Sequence, residues 1–144
     1  MKISNTIAII ILCIALMANK CYKKSDIENR ITVVNKLDKA IYVVPGFNYP
    51  DTSLNCISKE MILANSNSFL VNQKTESRIS NLSLCYKSEW ERVVSSDTLI
   101  LFVFESTTIE QIPWDSVCKN DLVLKRIKLS FSDLILNNCR IAIN

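Results

Sequence analysis

Apolar positions fall into three patterns along this chain. Residues 7–18 are continuously apolar and follow a basic Lys2. From residue 30 onward, short β-branched and aromatic runs alternate with polar breaks, and a single later run, 98–104, is apolar apart from its first residue. Short runs bounded by turn residues predict strands, and no internal repeat is visible. Residues 30–144 are therefore expected to form one mainly β (α+β) domain, β-sandwich-like with short edge helices.

The runs at 31–34 and 40–44 flank a polar stretch, 35–39, which predicts a hairpin with a five-residue loop. Residues 45–51 hold two prolines and the only glycine, so strand pairing should stop there and a surface loop begin. Residues 60–63 and 68–71 read as edge strands around an Asn/Ser-rich turn. Ser88 and Glu91 have capping-box spacing and predict a short helix through Val94. The run 98–104 should be a central strand with both faces covered. Residues 106–120 suit one or two helical turns, with Pro113 at a first helical position and Trp114 against the core. Residues 121–129 read as a strand with mixed faces. Ser130 and Asp133 repeat the cap spacing, and Cys139, Ile141 and Ile143 alternate on one face of a final strand.

The first apolar run has the length of a signal-peptide core. As a helix it reaches about 18 Å at ~1.5 Å per residue, short of the ~30 Å of membrane hydrocarbon. Cys21 follows it as a lipoprotein cysteine would, although Lys20 occupies the preceding position, where a small residue is favoured. The chain thus divides into a lipoprotein-type signal peptide (1–20), a flexible tether (21–29) and a β-rich globular domain (30–144). A lipid on Cys21 would tether the domain to a membrane rather than embed it, and stable anchoring takes more than one acyl chain. A cut after Ala18 is the alternative and yields a soluble secreted domain starting at Asn19.

Composition narrows the chemistry. The chain has 144 residues, a formal charge of +3 and no histidine. Removing residues 1–20 takes Lys2 and Lys20 but no acid and leaves +1, too little to drive nucleic-acid binding. Without histidine the usual proton shuttle and the commonest metal ligand are missing. One glycine makes no phosphate-cradling loop. Cys56, Cys85, Cys118 and Cys139 are separated by 28, 32 and 20 residues, whereas zinc sites use close pairs. No imidazole is available to activate a thiol. No catalytic residue, metal or cofactor is assigned. Asp97, Glu105 and Glu110 could supply paired acids for a glycan-processing enzyme, and as solvated strand-end charges they need no function.

Those four cysteines allow three full pairings, and an exported chain meets conditions that permit them. If the last two strands pair antiparallel, Cys118 and Cys139 lie at opposite ends. A bridge needs α-carbons within about 7 Å, which points to Cys56 or Cys85 as the partner of Cys139. Free thiols packed as small hydrophobes remain the other reading. Among the aromatics, Tyr42, Trp90 and Trp114 suit packing. Phe47 and Tyr49, in the proline-bounded loop, form the candidate binding loop, because loops present side chains outward and aromatics anchor interfaces.

Several segments taken in order carry a resemblance: Ile31-Thr32-Val33-Val34-Asn35 with Ile41-Tyr42, Tyr49-Pro50-Asp51-Thr52, Ser96-Asp97-Thr98-Leu99, Pro113-Trp114-Asp115, Leu124-Lys125-Arg126, and Leu129-Ser130 with Asp133-Leu134. Spread over nearly the whole chain after the leader, they resemble a family of small envelope lipoproteins of Bacteroidetes-type bacteria. The resemblance implies a cell-envelope address, a membrane contact through a lipid anchor and a β-rich shape, but no reaction. It implies no bridge at Cys139, where the family usually has an aromatic residue. Asp97-Thr98-Leu99 and Asp115-Ser116-Val117 fit the O-glycosylation pattern that such bacteria use, making Thr98 and Ser116 candidate acceptors. Asn81-Leu82-Ser83 has the N-linked acceptor form. The expectation is a non-enzymatic envelope lipoprotein, an interaction or structural module facing an envelope protein or glycan. A secreted carbohydrate- or protein-binding domain and a carboxylate-based enzyme are the alternatives.

Overall fold

The structure, a computed structural model, describes residues 29–54, 57–79 and 83–144. The expected leader, Cys21, Cys56 and Asn81 lie outside the described residues. Among the described residues, seven strands form two sheets in an α+β domain. The first sheet has the order β4-β1-β7, with β1 (Ile31–Asn35) antiparallel to β4 (Glu76–Ile79) and parallel to β7 (Arg140–Ile143). The second sheet is antiparallel throughout, in the order β3-β2-β5-β6: β3 (Leu70–Val71), β2 (Ile41–Gly46), β5 (Thr98–Glu105) and β6 (Lys125–Ser130). Six short helices also lie among the described residues: α1 (Lys59–Ala64), α2 (Ser66–Phe69), α3 (Lys87–Val93), α4 (Ser106–Gln111), α5 (Trp114–Lys119) and α6 (Phe131–Leu136).

The continuously apolar run is β5, an inner strand of the second sheet, buried from Leu99 to Phe104. Alternation along a strand sends successive side chains to opposite faces. Leu99, Leu101 and Val103 join Ile41 and Val43 in a cluster shared with Ile31, Val33, Ile79, Ile141 and Ile143 of the first sheet. Trp90 of α3 and Leu134 of α6 close that cluster. Ile100, Phe102 and Phe104 face the other way with Tyr42 and Val44, where Ile62 of α1, Ile109 of α4 and Val117 of α5 cover them.

The expected hairpin between the first two strands does not form. Both strands exist, but they belong to different sheets, and Asn35 accounts for the change of partner. It is 1% exposed, the only buried polar side chain among the described residues. Its Nδ2 donates to the carbonyls of Lys39 (2.8 Å), Asn72 (3.0 Å) and Val71 (3.3 Å), and its Oδ1 accepts the Leu37 N–H (3.0 Å). These bonds satisfy main-chain groups that would otherwise be orphaned as residues 35–39 cross between the sheets.

Other local expectations also shift. Residues 60–63 lie in α1 rather than a strand, because the Ser58 hydroxyl accepts the Met61 N–H and caps a helix whose inner residue is Ile62. Of 68–71, only Leu70 and Val71 pair as a strand. Helix α3 starts at Lys87 with Tyr86 as an uncapped N-cap. Ser88 is therefore inside the first turn and makes no capping box, while Glu91 meets Lys87 at 3.6 Å. The second box is present: Ser130 and Asp133 bond each other's main chain at the start of α6. Pro113 sits at the N-cap of α5, one position before the expected site.

Pairing does not stop at Pro45 either. It continues through Pro45↔Leu101 and Gly46↔Ile100. Strand β3 reaches only Ile41 and Tyr42, so β2 has no outer neighbour at Pro45, and a proline is tolerated where no ladder donor is needed.

Candidate functional site

Two cross-strand rows underlie the site on the helix-side face of the second sheet. Val44, Phe102 and Arg126 stand side by side, as do Gly46, Ile100 and Lys128. Gly46 leaves β2 beside the Phe102 ring, and a Cβ on it would lie 2.5 Å from Phe102 Cε2. Its backbone is not left-handed. The sole glycine of the chain is required here by close approach, not by a turn. Residues 47–54 then fold back over the sheet. Tyr49 reaches Lys128, whose Nζ stands 5.1 Å from the ring centroid, a cation–π contact. The Tyr49–Pro50 peptide is cis.

Beneath this loop is a cavity of about 150 Å³, lined by Pro45, Gly46, Phe47, Asn48, Asp51, Ser53, Ile57, Met61 and Phe102. Ile57 and Phe102 are buried, while Asn48, Asp51 and Ser53 are exposed, so the floor is apolar and the rim polar. Asp51 Oδ1 accepts the Ser53 N–H at 2.8 Å, which holds the Asp51 carboxyl below the usual carboxylate range. A second, more open hollow of about 470 Å³ adjoins the loop, between Pro50, Asp51, Leu54 and the Cys118, Asp121 and Arg126 side chains. Arg126 grips both oxygens of Asp121 and lies 5.7 Å from the Phe102 ring centroid. That pairing lowers the Asp121 pKa.

The open hollow thus holds two carboxylates, both stabilised in the ionised form. A glycosidase acid must carry a proton at working pH, and neither Asp51 nor Asp121 is set up to do so. Of the acids noted in the sequence, Asp97 and Glu105 do not converge. Asp97 and Glu105 flank opposite ends of the eight-residue β5, roughly 25 Å apart at ~3.3 Å per residue. Glu105 pairs with Lys39, and Glu110 accepts the Tyr42 hydroxyl at 3.3 Å.

Phe47 and Tyr49 do share one loop and border the same region, but neither ring projects freely. Both are half-buried, Phe47 against the cluster between the sheets and Tyr49 against the helix-side cluster. Thr98 is the half-buried first residue of β5, opposite Ser130, and Ser116 is half-buried within α5. Cys85 and Cys139 form a disulfide with α-carbons 6.1 Å apart. The expected antiparallel pairing of the last two strands is absent, since β6 and β7 lie in different sheets, yet the partner it favoured is among those expected. Cys118 is free and exposed, its thiol pushed up by burial and by Asp115 beside it. Such a thiol is a poor nucleophile.

Asp51, Met61, Ile57 and Phe102 carried no functional signal in the sequence. Gly46 carried one, as the only glycine of the chain, because so scarce a residue marks a place where nothing larger fits. Among the described residues no group of His, Cys, Asp and Glu is arranged to hold a metal ion, and no helix is long and apolar enough to cross a membrane. No family model, curated protein or solved structure matches this chain.

Proposed function

We propose that this chain is an exported, non-enzymatic binding module, tethered to a bacterial membrane by a lipid on Cys21, with the 47–54 loop and the cavity beneath it as its recognition surface. The combination that carries this reading is an apolar cavity under a proline-bounded loop on a disulfide-bridged scaffold. The Cys85–Cys139 bridge favours an oxidising compartment, where such bonds persist. That agrees with a leader at 1–20, and the order of segments resembling small envelope lipoproteins supports the same address. The two sheets sharing one core suit a β-sandwich-like scaffold, which holds a loop rigid enough to recognise a partner protein or glycan.

Intact mass of the protein recovered from the envelope fraction, with and without reduction, tests the reading. Expected is a chain starting at a lipid-modified Cys21 that gains the mass of two hydrogens per bridge on reduction. A chain starting at Asn19 without lipid would replace the anchored reading by a secreted binder. Processing that continues unchanged under globomycin would also remove the lipid. Sugar mass on Thr98 or Ser116 would appear in the same spectrum.

A further inference from the structure

We propose that the cavity beneath the 47–54 loop binds a small organic cation, a single ring or branched aliphatic group joined to a primary amine. This deepens the binding-module reading and rests on it, but it is independent of whether the chain is lipidated.

Size comes first. About 150 Å³ is the volume that holds one benzene-sized ring in an apolar protein cavity. The chemistry of the wall follows. Phe47, Ile57, Met61 and Phe102 offer carbon and sulfur surfaces, and they leave a ring no buried hydroxyl or amide to satisfy. The Met61 sulfur and the Phe102 ring suit a polarisable ring or a cation lying against a ring face.

Charge sets the rest. Among the described residues, Asp51 is the only ionisable one lining the cavity. The cations nearby are engaged elsewhere: Arg126 holds Asp121, and Lys128 lies over Tyr49. Ser53 fixes Asp51 through Oδ1, and a carboxylate retains capacity for further donors. An ammonium at the rim would meet a preoriented anion while its carbon skeleton enters the floor. The wall itself is built for this space. Any side chain at Gly46 would drive the Phe102 ring from its place, so the one glycine of the chain keeps the cavity in this shape.

The full-length protein carries three methionines, at positions 1, 17 and 61, and Met61 lines the cavity. Methyl-labelled methionine makes it a local NMR reporter. Benzylamine should shift the Met61 signal saturably and bind about fivefold tighter than benzyl alcohol, the size of an exposed ion pair. Asp51→Asn should bring the two probes to equal affinity, and Ile57→Phe, which adds volume to the floor, should abolish the shift for both. Equal affinities in the unmodified protein would overturn the amine while leaving a binding cavity. No saturable shift with either probe would overturn the cavity as a ligand site, and with it the recognition surface. A shift that survives Ile57→Phe, with melting unchanged, would place the binding elsewhere.

Discussion

The two faces of the second sheet are buried in different ways. Between the sheets, strand meets strand: aliphatic side chains interdigitate, Asn35 satisfies the crossing main chain, and the Cys85–Cys139 bridge ties the segment before α3 to the start of β7. On the opposite face the cover is made of three short helices and a folded-back loop, which leave a cavity and an open hollow. A sheet can be matched by another sheet almost without gaps, whereas six-residue helices and a proline-containing loop cannot tile one. The tightly closed face holds the fold, and the loosely tiled face has room for a ligand.

Breaking the tight side should cost most. The bridge spans 54 residues of sequence. Closing a loop of that length stabilises by about 4 kcal/mol through the unfolded chain, so Cys85→Ser or Cys139→Ser should lower the urea midpoint by the largest amount of any change considered. Asn35→Ala should follow, at about 2 kcal/mol, because it strands buried carbonyls and the Leu37 N–H in one step. Equilibrium denaturation of the two variants compares the terms directly. A cost near zero for Asn35→Ala would mean that the crossing between sheets is not held by that carboxamide.

The loose side should respond differently. Gly46→Ala is expected to cost about 1–3 kcal/mol by forcing the Phe102 ring aside, and it should alter ring signals near Met61 while amides of the core between the sheets stay in place. Ser130→Ala removes one half of the α6 capping box and should cost about 1 kcal/mol, read as a small drop in thermal midpoint. The smallest effect concerns pH. Asp51, Asp121 and Asp133 all have pKa values lowered by hydrogen bonds in the folded state, from Ser53, Arg126 and Ser130 respectively. A lowered folded-state pKa stabilises the native form above the unfolded-state pKa, near 4, and that contribution disappears as pH falls through the native values. Stability should therefore decline on acidification below about pH 4 to 5, and Asp51→Asn should blunt that decline by lowering the melt slightly at neutral pH while leaving the melt in acid unchanged.

Local chemistry explains which elements could be read in advance. The apolar run of β5 requires cover on both faces wherever it sits, and the Ser130–Asp133 spacing caps a helix without outside help. The alternation of Ile141 and Ile143 marks one buried face of β7, while Cys139, expected on the same face, precedes the strand in a left-handed conformation. Helix α1 was less legible, since Met61, Ile62 and Leu63 satisfy a strand or a helix equally over so short a run, and the Ser58 cap decided it. The site was least legible of all. Phe47 and Tyr49 could be singled out as loop aromatics, but Asp51, Ile57, Met61 and Phe102 come from a loop, a helix flank and a strand that nothing local brings together.

The sequence by itself determined where strands and helices could form and that the core strand must be covered twice, because those outcomes depend on side-chain period and nearest neighbours along the chain. Only the tertiary structure decided which strands pair. It split β1 from β2, joined the first strand to the last, chose Cys85 for Cys139, and built a cavity from residues over fifty positions apart. Pairing and cavities arise from competition between surfaces distant in sequence, and that competition is settled only when the whole chain folds.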